Sequence, residues 1–374
     1  MKFIHLSDLH IGKIIYNRSL LEDQKYILDK IISIVESEKP DAVLIAGDIY
    51  DRADPSAEAT ALWDSFLTRL HNKCGQLLII SGNHDSAERV SCGSHILELG
   101  GVHISPVYDG VVEPVVLEDE LGSVNCYLLP FVKPTHVRAA FPEEEITSYT
   151  EAIRVAINHM SVDRSVRNVI VTHQFVTGAS RCDSEETVGG TDNVDASVFA
   201  DFDYVALGHI HGPQNIDGNR IRYCGTPLKY SFSEANHQKS VTVVELKNKG
   251  ELDIRLIGLE PMRDLKTYRG TFAELMDSNH EGYDGEDYLD ITLTDEEEET
   301  DAIGKLRIHY PGILNLHYDN RRTRALSNYV VDESQINRSP MDIFQDFYRE
   351  NNGSELSDEQ VNYVNSLIND IWEV

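Results

Sequence analysis

Residues 42–51 read Ala-Val-Leu-Ile-Ala-Gly-Asp-Ile-Tyr-Asp, an apolar run that ends in a glycine and two carboxylates. The five apolar residues suit a buried strand. The same order occurs on either side of this stretch: Lys2–Leu6 precedes Asp8-Leu9-His10, and Leu77–Ile80 precedes Gly82-Asn83-His84-Asp85. Two segments with apolar residues at helical spacing separate the three runs. Alternating strands and helices predict a parallel sheet, with the polar residues gathered at its carboxyl edge.

Two further motifs follow apolar runs later in the chain. Thr172-His173 follows one such run, and Gly208-His209-Ile210-His211 follows Val205–Leu207. Several other strand-like segments lie between residues 101 and 246. These segments predict a second sheet, so the expected fold class is α/β, a two-sheet sandwich flanked by helices. Both sheets then direct polar side chains to one edge.

The character of the sequence predicts three parts. The sandwich pattern ends near residue 260, which gives a first domain at 1–260. Residues 261–332 have the pattern of a small α+β domain, and the acidic run at 295–299 is typical of a solvated loop or helix start. Residues 333–374 contain two short amphipathic helices. Two such helices cannot bury a core between themselves, so we expect them to dock elsewhere.

Charge and cysteine content exclude several classes of protein. The 374 residues include 33 basic and 63 acidic side chains, a formal charge of −30. The chain therefore repels nucleic acid on average, and a polyanionic substrate requires local basic patches, metal ions or a partner. Five cysteines without metal-ligand spacing indicate neither a disulfide framework nor a thiolate zinc site. Without a signal-peptide pattern or a run near the ~20 apolar residues of a membrane helix, a cytoplasmic protein is expected.

The residues at the predicted edge have the chemistry of metal ligands. They comprise two carboxylates, one amide oxygen and four or five imidazoles. The ligand candidates are Asp8, His10, Asp48, Asn83, His173, His209 and His211. Oxygen and nitrogen donors without sulfur favour Mn²⁺, Mg²⁺, Fe²⁺ or Zn²⁺. Seven donors exceed the needs of one ion but suit two ions that share a carboxylate, and two ions ~3.5–4 Å apart commonly promote attack on a phosphate ester.

The ordered motifs resemble a known family. The series D-x-H, G-D-x-x-D, G-N-H-D, H and G-H-x-H over residues 8–211 resembles the calcineurin-like metallophosphoesterase superfamily, whose fold is a four-layer α/β/β/α sandwich. Finer motifs resemble the nuclease subunits of SbcCD-type complexes. They are Ile4–Gly12, Leu128–Phe131, Thr172–Phe175, Tyr223–Pro227, Ser231–Glu234 and Ser339–Tyr348. The resemblance covers nearly the whole chain, although residues 265–330 match only loosely.

The resemblance implies a role for each motif residue. The two ligand sets it implies are Asp8, His10, Asp48 and His211 for one ion, and Asp48, Asn83, His173 and His209 for the other. His84 is expected to face the scissile phosphate as a proton donor or transition-state stabiliser, with Asp85 orienting its ring. For Asp51, two interpretations stay open: support of the metal site, or electrostatics at a helix start.

The resemblance also implies a function. It implies a manganese-dependent nuclease with 3′→5′ exonuclease activity on double strands and endonuclease activity on single strands or hairpins, in DNA repair, recombination and replication. The implied partners are DNA, an SbcC-type SMC-like ATPase and a second copy of the chain within a heterotetramer at the nucleoid. Two alternatives remain open. One is a small-substrate phosphatase or cyclic-nucleotide phosphodiesterase with the same metal core, and the other is a regulatory subunit that binds metal without catalysis.

Charge and apolar patterning suggest surfaces for DNA and for the partner. Candidate DNA contacts are Lys13, Arg18, Arg52, Arg89, Arg321, Arg322 and Arg324. For the first four, a solvated or ion-paired surface residue is the favoured interpretation, whereas for the last three a contact with DNA and a contact with the partner are equally favoured. Candidate partner contacts on the last two helices are Ile343, Phe344, Phe347, Tyr348, Val364, Leu367 and Ile368. The family resemblance implies that 261–332 caps the catalytic edge and helps to admit DNA.

Overall fold

Strands and helices alternate from the N-terminus onward, as the apolar pattern predicts. The computed structural model describes residues 1–183, 185, 193–277, 283, 285–327, 340–352 and 355–372. The strands are β1 (Lys2–Leu6), β2 (Ile14–Ile15), β3 (Arg18–Ser19), β4 (Ala42–Ala46), β5 (Leu77–Ile80), β6 (Val102–Ile104), β7 (Val115–Asp119), β8 (Gly122–Leu129), β9 (Arg167–His173), β10 (Tyr204–Gly208), β11 (Gln214–Asp217), β12 (Ile221–Tyr223), β13 (Ser240–Leu246), β14 (Leu252–Gly258), β15 (Leu265–Gly270), β16 (Tyr288–Leu293) and β17 (Ile313–Tyr318).

The helices are α1 (Leu21–Glu38), α2 (Ala57–His71), α3 (Ala87–Val90), α4 (Ser94–Glu98), α5 (Pro134–Ala140), α6 (Tyr149–Asn158), α7 (Phe272–Asp277), α8 (Ala302–Leu306), α9 (Arg321–Ser327), α10 (Pro340–Asn352) and α11 (Asp358–Trp372). Short 3₁₀ turns lie at Ala196–Phe199 and Phe232–Glu234. In the part of the chain that the structure describes, no helix is both long enough and apolar enough to cross a membrane.

Two six-stranded sheets carry the predicted polar edge. The first has the strand order β14-β13-β1-β4-β5-β6, and the second has the order β11-β12-β10-β9-β8-β7. Strands β1, β4, β5 and β6 run parallel to one another, as do β8, β9, β10 and β12. The carboxyl ends of the parallel strands therefore meet along one edge of each sheet.

In the sandwich, as far as the structure describes it, three apolar cores separate four layers. Leu44 of β4 and Val171 of β9 lie in the core between the two sheets. Helices α1 and α2 cover the outer face of the first sheet, and α5 and α6 cover that of the second. The α/β/β/α fold class predicted from the sequence is confirmed. Ala42–Ala46 is buried on both faces of its sheet, which explains why this run is continuously apolar rather than alternating.

A three-stranded sheet, β15-β16-β17, follows the sandwich. Leu265 on β15 pairs with Tyr288 on β16, and both side chains are buried against the core that contains α1. The chain divides into two compact units, Met1–Leu293 with Thr300–His317, and Thr294–Glu299 with Tyr318–Val374. The domain boundaries predicted at residues 260 and 332 stay predictions.

Candidate metal centre

The loops that follow the central strands bring ligand candidates to one edge. Asp8 and His10 follow β1, Asp48 follows β4, and His209 follows β10. Their φ angles are 52°, 42°, 49° and 97°, a conformation that costs a non-glycine residue about 1–3 kcal/mol. Hydrogen bonds of 3.0 Å join Asp8 N to the Gly47 carbonyl and His10 N to the Asp48 carbonyl. The surrounding structure thus holds these loops in an uncommon backbone conformation.

Asp8, His10 and His211 form one group of side chains, the first cluster. All three are buried, and their donor atoms lie within 4.8 Å of one another. Nε2 of His10 lies 3.2 Å from Nε2 of His211 and 3.7 Å from Oδ2 of Asp48. Two unprotonated ring nitrogens repel each other at this distance, whereas a shared proton or cation would stabilise the pair. One ring can therefore donate to the other, or both nitrogens can face a cation, and the nearby carboxylates of Asp8 and Asp48 suit the cation.

Asn83, His173 and His209 form the second cluster. Oδ1 of Asn83 lies 3.0 Å from Nε2 of His173 and 2.9 Å from Nδ1 of His209. Nε2 of His173 is also 3.2 Å from Oδ2 of Asp48, so Asp48 contacts both clusters. Nδ1 of His173 donates to the Ala46 carbonyl at 2.7 Å. That hydrogen bond fixes the ring so that Nε2 faces the cluster.

Burial and mutual charge shift the pKa values of these groups. Burial, opposed in part by His173, raises the pKa of Asp8 to about 6. Burial also opposes ionisation of Asp48, but the imidazoles of His173 and His10 outweigh it and hold the pKa of Asp48 well below its usual range. Burial disfavours a charged His173, yet Asp48 and Asp8 raise its pKa to about 9. Without a cation, Asp48 and His173 therefore form a buried ion pair at neutral pH.

The donor set fits two divalent cations better than it fits a purely structural network. The donors are oxygen and nitrogen atoms only, which suits hard to borderline metal ions. Asp48 lies between the clusters and offers the shared carboxylate that two ions require. Nδ1 of His10 is buried and has no hydrogen-bond partner among the described residues. The sequence prediction that these seven residues converge agrees with the geometry of the site.

Two family models match the sequence. The model described as calcineurin-like phosphoesterase matches residues 1–213, and the model described as Type 5 capsule protein repressor C-terminal domain matches residues 261–352. A protein of Staphylococcus epidermidis, named as the D subunit of the nuclease SbcCD, is 33% identical over 385 residues, which cover 100% of this chain and 99% of that protein. The chain belongs to the SbcD family of calcineurin-like phosphoesterases. Membership implies a centre for two divalent metal ions.

Another member of the SbcD family is similar to the same extent. The corresponding SbcCD nuclease subunit of Staphylococcus saprophyticus is 32% identical over 389 residues, covering 100% of this chain and 99% of that protein. Two solved structures are more distant. TT1561 of Thermus thermophilus has 12% identity and a TM-score of 0.41, and the match covers 68% of this chain and 98% of TT1561. A dimetal phosphatase from Danio rerio has 13% identity and a TM-score of 0.36, and the match covers 70% of this chain and 99% of that phosphatase. These two likenesses support no further conclusion.

His84 and Asp85 have supports that differ from the prediction. Nδ1 of His84 donates to the Asp51 carbonyl at 2.9 Å. The Asp85 carboxylate instead accepts three backbone N–H groups at 2.9–3.1 Å, those of Ile49, Tyr50 and Gly82. The structure thus differs from the prediction that Asp85 orients His84, because the two side chains contact different residues of the loop after β4. Asp85 ties the loop after β4 to the loop after β5, and the Asp51 carbonyl orients the imidazole.

Asp51 lies against the first cluster. Its Oδ1 accepts a hydrogen bond from Nζ of Lys13 at 2.8 Å and is 3.7 Å from Nδ1 of His10. Helix α2 begins only at Ala57, and Ser56 caps it. Of the two interpretations that the sequence leaves open for Asp51, the structure favours support of the metal centre.

Sequence reasoning missed a buried carboxylate behind His211. Oε1 of Glu234 lies 3.5 Å from Nδ1 of His211, and Oε2 accepts from Nζ of Lys239 at 2.5 Å. Burial opposes ionisation of Glu234, but His211 and Lys239 outweigh it and lower the pKa of the carboxyl. An ionised carboxylate at Nδ1 leaves Nε2 of His211 available to a cation. Glu234 belongs to a motif quoted above, but sequence alone gives no spatial partner for it.

Most of the basic residues predicted to contact DNA are paired with acidic neighbours. The pairs are Lys13 with Asp51, Arg89 with Asp54, and, in the second unit, Arg321 with Glu296, Arg322 with Glu298 and Arg324 with Asp319. Arg18 lies over the ring of Tyr288 at 6.0 Å, and Arg52, which is 79% exposed, lies 4.0 Å from Oδ2 of Asp51. A DNA phosphate would have to compete with carboxylates for most of these cations, so the DNA contacts stay predictions.

Helices α10 and α11 carry the residues predicted to bind a partner. Phe344, Phe347 and Leu367 are exposed, and Tyr348, Val364 and Ile368 are half-buried. The side chain of Ile343 lies outside the described residues. Exposed aromatic and aliphatic side chains on an amphipathic helix are typical of a surface that another protein covers.

Proposed function

We propose that this chain is the nuclease subunit of an SbcCD-type complex and hydrolyses DNA phosphodiesters at a centre for two Mn²⁺ ions. The observation that carries the proposal is the pair of clusters that Asp48 contacts, with His84 beside them. The two full-length relatives are both named as nuclease subunits, which supports DNA as the substrate. The ions would supply Lewis-acid stabilisation of the phosphate charge and a water activated at neutral pH.

The ligands divide between two ions in this proposal. Asp8, His10 and His211 would hold one ion, Asn83, His173 and His209 would hold the other, and Asp48 would serve both. His173 binds a cation only as the neutral imidazole, so it must give up the proton that Asp48 stabilises in the free protein. Glu234 keeps Nδ1 of His211 hydrogen-bonded, which directs its other ring nitrogen to the ion.

His84 acts on the scissile phosphate in this proposal. Because Nδ1 donates to the Asp51 carbonyl, Nε2 is the ring position left for substrate. The ring is edge-on to that of His10, with centroids 4.8 Å apart, so it lies beside the first cluster. The protonated imidazole can donate from Nε2 to the leaving oxygen or to a nonbridging oxygen of the phosphate.

The proposal includes a partner, because the net charge of the chain disfavours DNA binding. A net charge of −30 disfavours DNA, so an SbcC-type ATPase bound through α10 and α11 would supply much of the affinity. The chain would act as a homodimer within a heterotetramer at the nucleoid. Family resemblance adds 3′→5′ exonuclease activity on double strands and endonuclease activity on single strands and hairpins.

The experiment compares purified full-length chain with two histidine variants on end-labelled duplex DNA. With Mn²⁺, the wild type should shorten the labelled DNA strand, whereas the His84→Gln variant should bind Mn²⁺ normally but fail to cleave the DNA. His95→Gln, which changes an exposed histidine eleven residues further on, is the matched control and should cleave normally. Equal or faster turnover of a small chromogenic phosphate would favour the small-substrate phosphatase instead. Unchanged cleavage by the complex carrying His84→Gln or Asp48→Ala would favour the regulatory subunit.

A further inference from the structure

Two polar side chains in the first turn of α1 are buried, although the proposed reaction uses neither. Asp23 and Gln24 are each 2% exposed. Polar groups are buried at this level only when hydrogen bonds compensate the loss of water. Their hydrogen bonds lead in two directions, because Gln24 contacts the loop that carries the first cluster, whereas Asp23 contacts Arg263 and Tyr288 in the region that follows the sandwich.

The Gln24 amide holds the loop that presents Asp8 and His10. Its Nε2 donates to the His10 carbonyl at 2.7 Å and to the Leu9 carbonyl at 3.2 Å. Its Oε1 accepts from Gly12 N at 2.9 Å. One side chain thus pairs with three backbone groups of the loop 8–12. The hydroxyl of Tyr230 also donates to the Leu9 carbonyl, so this side of the loop is held by two buried donors.

This loop needs external support because its backbone is strained. Asp8, His10 and Gly12 all have positive φ, at 52°, 42° and 95°. Only glycine adopts such angles readily, and non-glycine residues keep them only where the surroundings enforce them. Gln24 pairs with His10 and Gly12, two of these three residues. Without it, relaxation of the loop would rotate His10 away from His211 and from Asp48.

Asp23 connects the same helical turn to the region after the sandwich. Its Oδ1 accepts from Nε of Arg263 at 2.9 Å, and its Oδ2 accepts from the Tyr288 hydroxyl at 3.0 Å. Tyr288 opens β16, and its side chain is buried in the core that includes α1. A displacement of β16 therefore changes the contacts of Asp23, and through the helix backbone it changes the position of the adjacent Gln24.

We propose that the first turn of α1 is a positioning element for the metal centre: Gln24 fixes the loop that carries Asp8 and His10, and Asp23 makes its position depend on Arg263 and Tyr288. The proposal rests on the proposed function only in that Asp8 and His10 bind a cation. Gln24 is a positioning residue, since it touches neither ion nor substrate. Through Asp23 and Gln24, a movement of the region after the sandwich changes the first cluster, although Arg263 and Tyr288 form no hydrogen bond with the ligands.

The test measures Mn²⁺ binding to the full chain by the loss of free Mn²⁺ signal in electron paramagnetic resonance. Asn83→Ala identifies which dissociation constant belongs to the second cluster. Gln24→Leu, which keeps the size but removes the amide, should raise the other constant by about 10–100-fold. Tyr288→Phe removes only the distant hydroxyl and should raise that same constant by about fivefold. In the double variant, Tyr288→Phe should add nothing, because its effect acts through Gln24.

Asp29→Asn is the matched control for the helix. Asp29 lies on α1 and pairs with Arg69 of α2 and with Lys25, so its loss removes ion pairs without touching the loop. It should leave both constants unchanged, and melting temperatures check the folding of every variant. If Tyr288→Phe leaves the first-cluster constant at the wild-type value, or raises both constants alike, the coupling is disproved even should Gln24→Leu fail to fold. A wild type that binds no Mn²⁺ would instead overturn the proposed function.

Discussion

The two clusters of the metal centre are built from the same kinds of ligand but are supported differently. In the first cluster, side chains from distant segments add to the backbone hydrogen bonds of Asp8 and His10. Glu234 holds His211, and Gln24 holds the loop of His10. In the second cluster, the backbone provides the support, because the Ala46 carbonyl holds His173.

Glycines make the backbone support of the second cluster possible. A Cβ built on Gly208 would lie 1.9 Å from the Ala46 carbonyl oxygen and 2.6 Å from Nδ1 of His173. A Cβ on Gly47 would meet the same nitrogen at 2.6 Å. The ends of β4 and β10 can approach His173 only because these positions lack side chains. The difference teaches that the first cluster can be adjusted by exchanging one side chain, whereas the second tolerates little change.

The largest effect is expected where the two clusters meet. Asp48→Ala removes the carboxylate that contacts both His10 and His173, so we expect binding of both Mn²⁺ ions and all phosphodiesterase activity to be lost. Isothermal titration with Mn²⁺ and cleavage of labelled duplex measure the two outcomes. Retention of one tightly bound ion would contradict a bridging role for Asp48, and the two clusters would then be separate sites.

The next effect separates chemistry from metal binding. His84→Gln should lower kcat by about 10²–10⁴-fold, the usual contribution of a proton donor, while both Mn²⁺ dissociation constants stay near the wild-type values. Single-turnover cleavage and the Mn²⁺ titration are run on the same preparation. Weaker Mn²⁺ binding in this variant would show that His84 serves a cluster rather than the substrate.

The positions of the ligands could be predicted from sequence because each follows a strand. An apolar run followed by glycine and a polar residue indicates a strand end, and parallel strands end at one edge. Which way a side chain points within a turn is not encoded so locally. Asp85 follows His84 directly, but its carboxylate accepts from backbone N–H groups of two loops, whereas the His84 ring contacts the Asp51 carbonyl. The sequence predicts which residues lie at the carboxyl edge of the sheet, whereas their side-chain contacts depend on how the loops pack.

The residues that support the first cluster could not be predicted for a related reason. Gln24 lies on the buried face of a helix, where a sequence pattern shows only an interruption of the apolar stripe. Glu234 is separated by 23 residues from His211, its partner. Lys239, which offsets the buried charge of Glu234, comes five residues later. Such contacts depend on how three segments pack together, and no spacing rule connects them.

A paired substitution tests the contrast between the clusters directly. Glu234→Gln removes the charge behind His211 and should weaken the binding of one Mn²⁺ ion by about 10–100-fold. Gly208→Ala pushes the Ala46 carbonyl away from His173 and should weaken the binding of the other Mn²⁺ ion by a similar factor. Gly75→Ala is the glycine control, since a Cβ there would meet no atom within 4 Å. The contrast fails if both variants weaken the same ion.

The smallest expected effect is the pH dependence of stability that comes from two buried histidines with different surroundings. Burial disfavours the charged form of both. His5, whose Nδ1 lies 2.8 Å from the Tyr204 hydroxyl, has its pKa lowered to about 3 by burial and by the charge of Arg222. His173 has two carboxylates nearby, and these raise its pKa to about 9. The pair therefore separates the effect of burial from the effect of charged neighbours.

The signs of the two contributions to stability differ. Between pH 3 and 6.5 the unfolded chain binds a proton at His5 that the folded chain does not, so the free energy of unfolding rises with pH by up to about 1.4 kcal/mol per unit. Between pH 6.5 and 9 the folded chain holds a proton at His173 that the unfolded chain has lost, so stability falls as pH rises. Urea unfolding of the metal-free protein from pH 4 to 9 measures both slopes. His5→Asn should reduce the acid slope and leave the alkaline slope unchanged, and Asp48→Ala should reduce the alkaline slope. His95→Asn, at an exposed position, should change neither slope. If His5→Asn left the acid slope intact, another buried group such as His209, whose pKa burial lowers to about 3, would account for it.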